Sequence, residues 1–376
     1  MGADGLDRDG AGSTEFVEGA ACSTGAPPAQ SYRLVAEIAT GLEPEGVAVD
    51  SRRRLAYVAC ARSDVVSVVD LDIGMVVGEV TVGREPMDIA FDETTGRLFT
   101  ADLLGETVSV VDTSTLGVVA SVPVGLYPSG LALDAVHRRL YCGCALSSTV
   151  VAIDVDALEV LATVPAAAGA GAVAVDVDRS RVYCANFLDG SVSVVDADEL
   201  GAVGDIEVGA APCAVAVHAD RGELYVSNSF ADAVSRIDLA TSTITGEIKV
   251  DRTPVGAAVG AAGDRLYVSN RGAGTVSVIG IEDAAEWGRI PVGEGPGGCT
   301  VDPLTGHLLV ANAGSGSLTV VEDLLTGRPV APALQPRHAL IGRPLPPFAL
   351  PDLDGIERTS LEWAERKFIL NFFASW

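Results

Sequence analysis

The chain has 376 residues, with 25 Lys plus Arg against 51 Asp plus Glu and a formal charge of −26. That balance argues against nucleic acid and anionic membrane surfaces as partners, because both draw on basic patches. No run of about 18 apolar residues occurs, so no helical membrane span is predicted.

Residues 1–31 are rich in Gly, Ala, Asp and Ser and have neither a basic start nor an apolar stretch. A disordered tail is expected there, and no secretory signal. From Pro44 to Glu322 one 42-residue unit then repeats seven times without insertion or deletion. Asp70, Asp112, Asp154, Asp196 and Asp238 mark one column, and Gly280 and Glu322 continue it. Ten residues upstream the column reads Cys60, Asp102, Cys144, Asn186, Asn228, Asn270 and Asn312. A third column is Pro44, Pro86, Pro128, Ala170, Pro212, Pro254 and Pro296.

The fifth copy shows what each unit folds into. Cys213–Val217, Leu224–Ser227, Ala233–Ile237 and Ile244–Val250 are short β-forming runs, separated by polar turn residues. Four strands of about five residues match one antiparallel propeller blade. A lone blade leaves both apolar faces wet, so the copies must stack into a ring. After Glu322 the seventh copy reads Asp323-Leu324-Leu325-Thr326-Gly327-Arg328-Pro329, a poor strand. Arg33–Gly41 aligns with the fourth-strand column instead, and is predicted to complete the seventh blade and remove an exposed edge. The expectation is an all-β, seven-bladed β-propeller of 42-residue four-stranded blades spanning 32–330.

Tyr225-Val226-Ser227-Asn228, Tyr267-Val268-Ser269-Asn270, Thr275–Val278 and Ile290-Pro291-Val292-Gly293 resemble the YVTN-type β-propeller repeat family. The resemblance covers about four-fifths of the chain and specifies fold, while leaving the chemistry open. It implies relatives among surface-layer proteins, haem-binding propellers and lactonase-like enzymes.

A linker is expected over 331–340. Beyond it, Ile341–Gly355, with Leu350-Pro351-Asp352-Leu353-Asp354-Gly355, leads to Lys367-Phe368-Ile369-Leu370-Asn371-Phe372-Phe373-Ala374-Ser375-Trp376. This segment, 341–376, resembles the start of a redoxin, a thioredoxin-like domain whose Cys-x-x-Cys would follow Trp376. Redoxin chemistry needs that thiolate at a helix N-terminus. The segment therefore reads as a truncated redoxin without activity of its own, from a parent that is a thioredoxin-like oxidoreductase. Both resemblances imply an extracytoplasmic setting, periplasmic or extracellular.

Side chains that repeat are read as structural, and departures from the repeat as functional. The repeated Asn and Asp are expected to cap hairpin turns through backbone N–H groups two residues on. The seven cysteines are too scattered for a disulfide framework, and Cys142, Cys184 and Cys299 stand in apolar columns. His137, His218 and His307 fall in turn columns, with His307 expected to be exposed, and His338 in the linker. No metal, cofactor or catalytic residue is predicted. The departures cluster in turns before first strands and after second strands, which a propeller places on one face. They form a predicted binding rim of Arg62, Asp64, Arg84, Glu85, Glu106, Tyr127, Phe187, Asp189, Phe230, Asp232, Arg252, Arg271 and Glu294, with Glu43, Glu45 and Met87 beside them. The uniform 42-residue spacing leaves no long loop for a lid. A binding and scaffold propeller, taking a protein or small molecule at that face, is the first expectation. A lactonase-like hydrolase or a carrier of a redox cofactor is the alternative.

Overall fold

The structure, a computed structural model, describes residues 32–324, 349–351 and 357–359. In blade five the strands Pro212–His218, Glu223–Asn228, Ala233–Asp238 and Thr243–Lys249 pair antiparallel in chain order. Blades one to six all follow that order, and no α-helix occurs among the described residues. The seventh sheet closes as predicted. Tyr32–Ala39 is its outermost strand, antiparallel to Ser317–Asp323, and the sheet continues through Leu308–Asn312 to Pro296–Val301. Arg33 adds a 2.5 Å ion pair to Glu322 at the same junction. The molecule is a seven-bladed β-propeller.

The core is distributed over seven seams, one between each pair of neighbouring blades. At the seam of blades five and six, Tyr225, Val234 and Ile248 pack on Leu266, Val268 and Ile279. Second and third strands are buried almost end to end, whereas fourth strands alternate between exposed and half-buried. Each blade thus buries both faces only because a neighbour covers each one. First strands are innermost and are hydrogen-bonded on one side only, so their free edges line the central channel.

Two Asp columns behave as the turn chemistry predicts. Asp70, Asp112, Asp154 and Asp196 accept the N–H two residues on at 2.8–2.9 Å, and Asp50, Asp92 and Asp134 do the same at 2.9–3.1 Å. The Asn column departs from the expectation. Asn186, Asn228, Asn270 and Asn312 are buried, and their Nδ2 groups reach across to hydroxyls on the third strand, such as Ser235 at 2.8 Å and Thr319 at 2.7 Å. Asp102 accepts from Thr100, Thr107 and Ser109 in the same position. These side chains staple second strand to third strand and cap no turn. The turn glycines lie close above them: a Cβ at Gly83 would come within 2.7 Å of the Asp102 Cβ, and one at Gly293 within 2.8 Å of the Asn312 Cβ.

The predicted tail 1–31, the linker 331–340 and most of 341–376 lie outside the described residues. Within the last, Ala349–Pro351 and Glu357–Thr359 pair as two short antiparallel strands.

Candidate functional site at the channel mouth

Strand direction decides which loops meet. The turn entering each first strand and the turn leaving each second strand lie at the same end of the ring, and one backbone bond ties them in every blade. Leu103 N–H donates to Glu85 at 2.8 Å, Ala145 to Tyr127 at 2.9 Å, Phe187 to Gly169 at 3.0 Å and Arg271 to Thr253 at 2.8 Å. The acceptor in each of these is a left-handed residue. Glu43, Glu85, Tyr127, Gly169, Ala211, Thr253 and Gly295 all have φ between 51° and 84°. Only two of the seven are glycine, so five side chains are held in a conformation L-residues disfavour.

The predicted rim is therefore assembled on one face, but its members do different things. Asp64 and Asp232 are committed to the backbone, accepting the N–H of Glu85 and Thr253 in the next blade at 2.8 Å each. Asp189 accepts the Ser191 hydroxyl at 2.7 Å. Arg84 donates to the Leu104 carbonyl at 2.7 Å, and Arg62 pairs with Glu43 at 2.9 Å in the open. Glu106 is another left-handed residue at φ 55°. Glu294 N–H is held by Ser315 Oγ at 2.6 Å, and Arg252 is exposed, with its carbonyl accepting Gly272 N–H.

The rim divides into two arcs. Blades three to five present Leu126, Tyr127, Leu146, Leu188 and an edge-to-face pair, Phe187 and Phe230, with ring centroids 5.7 Å apart. Phe230 is 74% exposed and Leu188 69%, which is unusual for side chains of their size. Blades six, seven and one present Arg252, Arg271, Glu294, Glu43 and Arg62.

Inside the mouth the channel encloses about 630 Å³, within the range of small-molecule sites. Every blade contributes the second residue of its first strand: Glu45, Met87, Ser129, Gly171, Cys213, Val255 and Gly297. Of the thirteen predicted rim residues only Phe187 and Arg271 line this cavity. Arg271 of blade six forms an ion pair with Glu45 of blade one, passing over blade seven. That path is open because blade seven has Gly297 there, where a Cβ would lie 2.8 Å from Glu45 Oε2. Burial pushes the Glu45 carboxyl up against the opposing pull of Arg271, and Glu43 adds to the rise.

Asp88 lines the same cavity and escaped the rim prediction. Its column otherwise holds Gly46, Gly130, Ala172, Ala214, Gly256 and Gly298, so a lone acid among small residues was the available signal. Small residues are needed because first strands nearly touch: a Cβ at Gly130 would meet Ala172 Cα at 2.7 Å. Asp88 uses the crossing. Its carboxylate accepts the N–H of Ile89 and, in blade three, of Leu131, both at 2.8 Å. Burial outweighs those bonds and pushes its pKa up to about 6.

Cys299 lines the cavity and is only half-buried, although its thiol is pushed up to about 11 by burial. Cys213 accepts the Ser229 hydroxyl at 2.8 Å, and burial raises it despite that bond and nearby Arg271. Cys142, Cys144 and Cys184 are buried free thiols. His137 bonds Asp134 at 2.8 Å and His218 bonds the Gly263 carbonyl at 2.9 Å, both in turns of the opposite face. His307 is half-buried, contrary to the exposed position expected, and burial lowers its pKa. Among the described residues no three His, Cys, Asp or Glu side chains are grouped to hold a metal ion.

No protein-family model and no curated protein sequence matches the chain. Among solved structures it is similar to Kuenenia stuttgartiensis hydrazine synthase, with a TM-score of 0.68 over 75% of this chain and 96% of that one. Identity is 19%. The likeness is one of fold alone.

Proposed function

We propose that the ring is a binding and scaffold module whose channel mouth takes a small molecule or an apolar side chain of a protein partner. The observation that carries this is the cavity wall. The seven blades supply six residue types at one repeat position, only Gly171 and Gly297 being alike, while the surrounding repeat is kept. The apolar arc around Phe187 and Phe230 supplies contact area, and the Arg271–Glu45 pair supplies a polar anchor at the opposite side. The redoxin-like sequence of 341–376 supports a role in which this module presents or recruits substrates for thiol chemistry. A hydrolase or cofactor-carrying ring has less behind it, because the acids of the mouth are mostly committed to backbone and arginine.

A fragment screen by ligand-observed NMR tests the reading. Hits should compete with one another, and Phe187→Ala should weaken them by about ten-fold or more, as loss of a central aromatic does elsewhere. Hits that are indifferent to both Phe187→Ala and Arg271→Ala would place binding outside the mouth and remove the proposal.

A further inference from the structure

A second cavity, of about 510 Å³, opens on the outer flank between blades four and five. Its origin is one residue. In the turn between third and fourth strands, blades two, three and four carry Leu116, Leu158 and Leu200. Each leucine folds back onto the fourth strand of the preceding blade. The Leu116 Cδ1 lies 2.9 Å from where a Gly78 Cβ would be, and Leu158 and Leu200 join the seam clusters with Ala120 and Ala162. Blade five has Ser242 at this position, opposite Gly204, whose Cβ would meet nothing within 4 Å. The next seam also lacks the leucine, with Ala284, and a Cβ at Gly246 there would likewise meet nothing within 4 Å, but its blade carries the Arg236–Glu223 ion pair in the columns of Val194 and Arg181. Blade one has Gly74 at this position, beside Ala36 of blade seven; between blades four and five Val194 and Arg181 stand in the columns of that pair, and the cleft stays open.

The wall of the cleft carries a polar group without a partner. Tyr141 donates to the Ala197 carbonyl at 3.4 Å, Tyr225 to Glu223 at 2.6 Å and Tyr267 to Asp323 at 2.9 Å. Tyr183, in the same column, makes no such bond among the described residues, and its hydroxyl is left to the cleft. Tyr57 is sealed in the core, whereas Tyr183 lines the cleft while being only 3% exposed. Beside it, Arg179 spends Nη1 on Asp176 and the Ala219 carbonyl, and Arg181 spends Nη1 on Asp196 and the Ser180 carbonyl. Their remaining N–H groups have no acceptor among the described residues. The one carboxylate on the wall, Asp205, is turned to the Ser193 hydroxyl at 2.6 Å. The floor is apolar, made by Val194, Val203, Ile206 and Leu239.

We propose that this cleft binds an uncharged small molecule that presents a carbonyl oxygen to Tyr183, Arg179 and Arg181 and lays an apolar body on Val203 and Leu239. The donors exceed the acceptors, so the ligand must bring acceptors. Its neutrality follows from charge: each guanidinium already holds an aspartate, Asp205 adds another negative charge, and the chain carries −26 overall. A carboxylate would enter against that field.

Benzamide and benzoate, alike in shape and different in charge, are the probes, followed by ligand-observed NMR and titration calorimetry on the full chain. Benzamide should bind saturably, and benzoate at least ten-fold more weakly. Ser242→Leu should abolish benzamide binding while keeping the thermal midpoint at or above that of the parent, since leucine is native to this position in three blades. Tyr183→Phe, with Phe99 as the precedent in its column, should weaken binding about three- to ten-fold for one lost hydrogen bond. Absence of saturable benzamide binding, or binding untouched by both substitutions, would overturn the site. Benzoate binding as tightly as benzamide would overturn the neutral-ligand assignment.

Discussion

The two ends of the ring are built from the same seven repeats and use their charges in opposite ways. At the end away from the mouth, Asp50, Asp92, Asp134, Asp176 and Asp302 are buried, and each gathers backbone N–H groups, hydroxyls or arginines. Two of them lie in bridges between blades, Asp302 to Arg54 at 2.6 Å and Asp92 to Arg138 at 2.8 Å. At the mouth the residues change from blade to blade, and Arg62, Glu43, Arg252 and Phe230 stand in solvent. One end spends its polar groups on holding blades together, and the other keeps Arg252, the Arg62–Glu43 pair and Phe230 at the surface, where they can meet something else.

The sharpest way to break this contrast is Asp302→Ala. Asp302 also accepts Ser51 at 2.6 Å and Thr305 at 2.7 Å, so its removal leaves Arg54 with only the half-exposed Asp72 and unpairs two hydroxyls at the seam where the ring closes. A loss of about 3–5 kcal/mol in chemical denaturation is expected. Arg62→Ala at the mouth should cost less than about 1 kcal/mol, because its partner Glu43 is exposed. Equal costs would mean the two ends do not differ.

A pH series sharpens the comparison. Burial raises the Asp302 carboxyl, but Ser51, Thr305, Leu304 and the charge of Arg54 overcome it and hold it below the usual range. Its contribution is present above about pH 4, the ordinary value for an unfolded aspartate, and is lost as pH falls through the folded value. Asp88 has the opposite sign. The folded chain keeps a proton to about pH 6 that the unfolded chain releases near pH 4, so its term falls as pH rises across that window. Asp88→Asn should remove this slope, and wild-type stability should decline relative to the variant between pH 4 and 6. A constant difference would contradict the placement of Asp88. The smallest expected effect is at Thr253, a β-branched residue at φ 57°, in a column where blades four and seven have glycine. Thr253→Gly should raise stability by about 0.5–1 kcal/mol, the relief of left-handed strain less the added chain entropy, measured as a shift in the denaturation midpoint.

The ring was legible because a 42-residue period writes each strand seven times, and even the closing strand Arg33–Gly41 could be found from its column. The sites were harder to see. The rim prediction searched turns, where variation is visible, but the cavity is lined by residues inside first strands. Glu45 and Met87 stood out beside the rim, but Ser129 and Cys213 look like ordinary strand residues until the ring turns them inward. Asp88 breaks a column of small residues, and Ser242 ends a run of leucines in three successive blades. The burial and partners that give such breaks meaning come from neighbouring blades, which one repeat does not contain. The Asn column misled for the same reason: turn capping is local, whereas its actual partners sit seven residues on in the next strand.

Closing the ring with Tyr32–Ala39 also sets an order of events during synthesis. Tyr32–Ala39 leaves the ribosome before every other strand of the ring and pairs with Ser317–Asp323, about 280 residues later. At 5–20 residues per second the strand waits roughly 15–60 s for its partner. Six blades can stack in that interval, while Ala36, Ile38 and the open flank of blade one remain uncovered. Premature association of that flank, more than any weakness in the finished ring, is the hazard this chain must outrun.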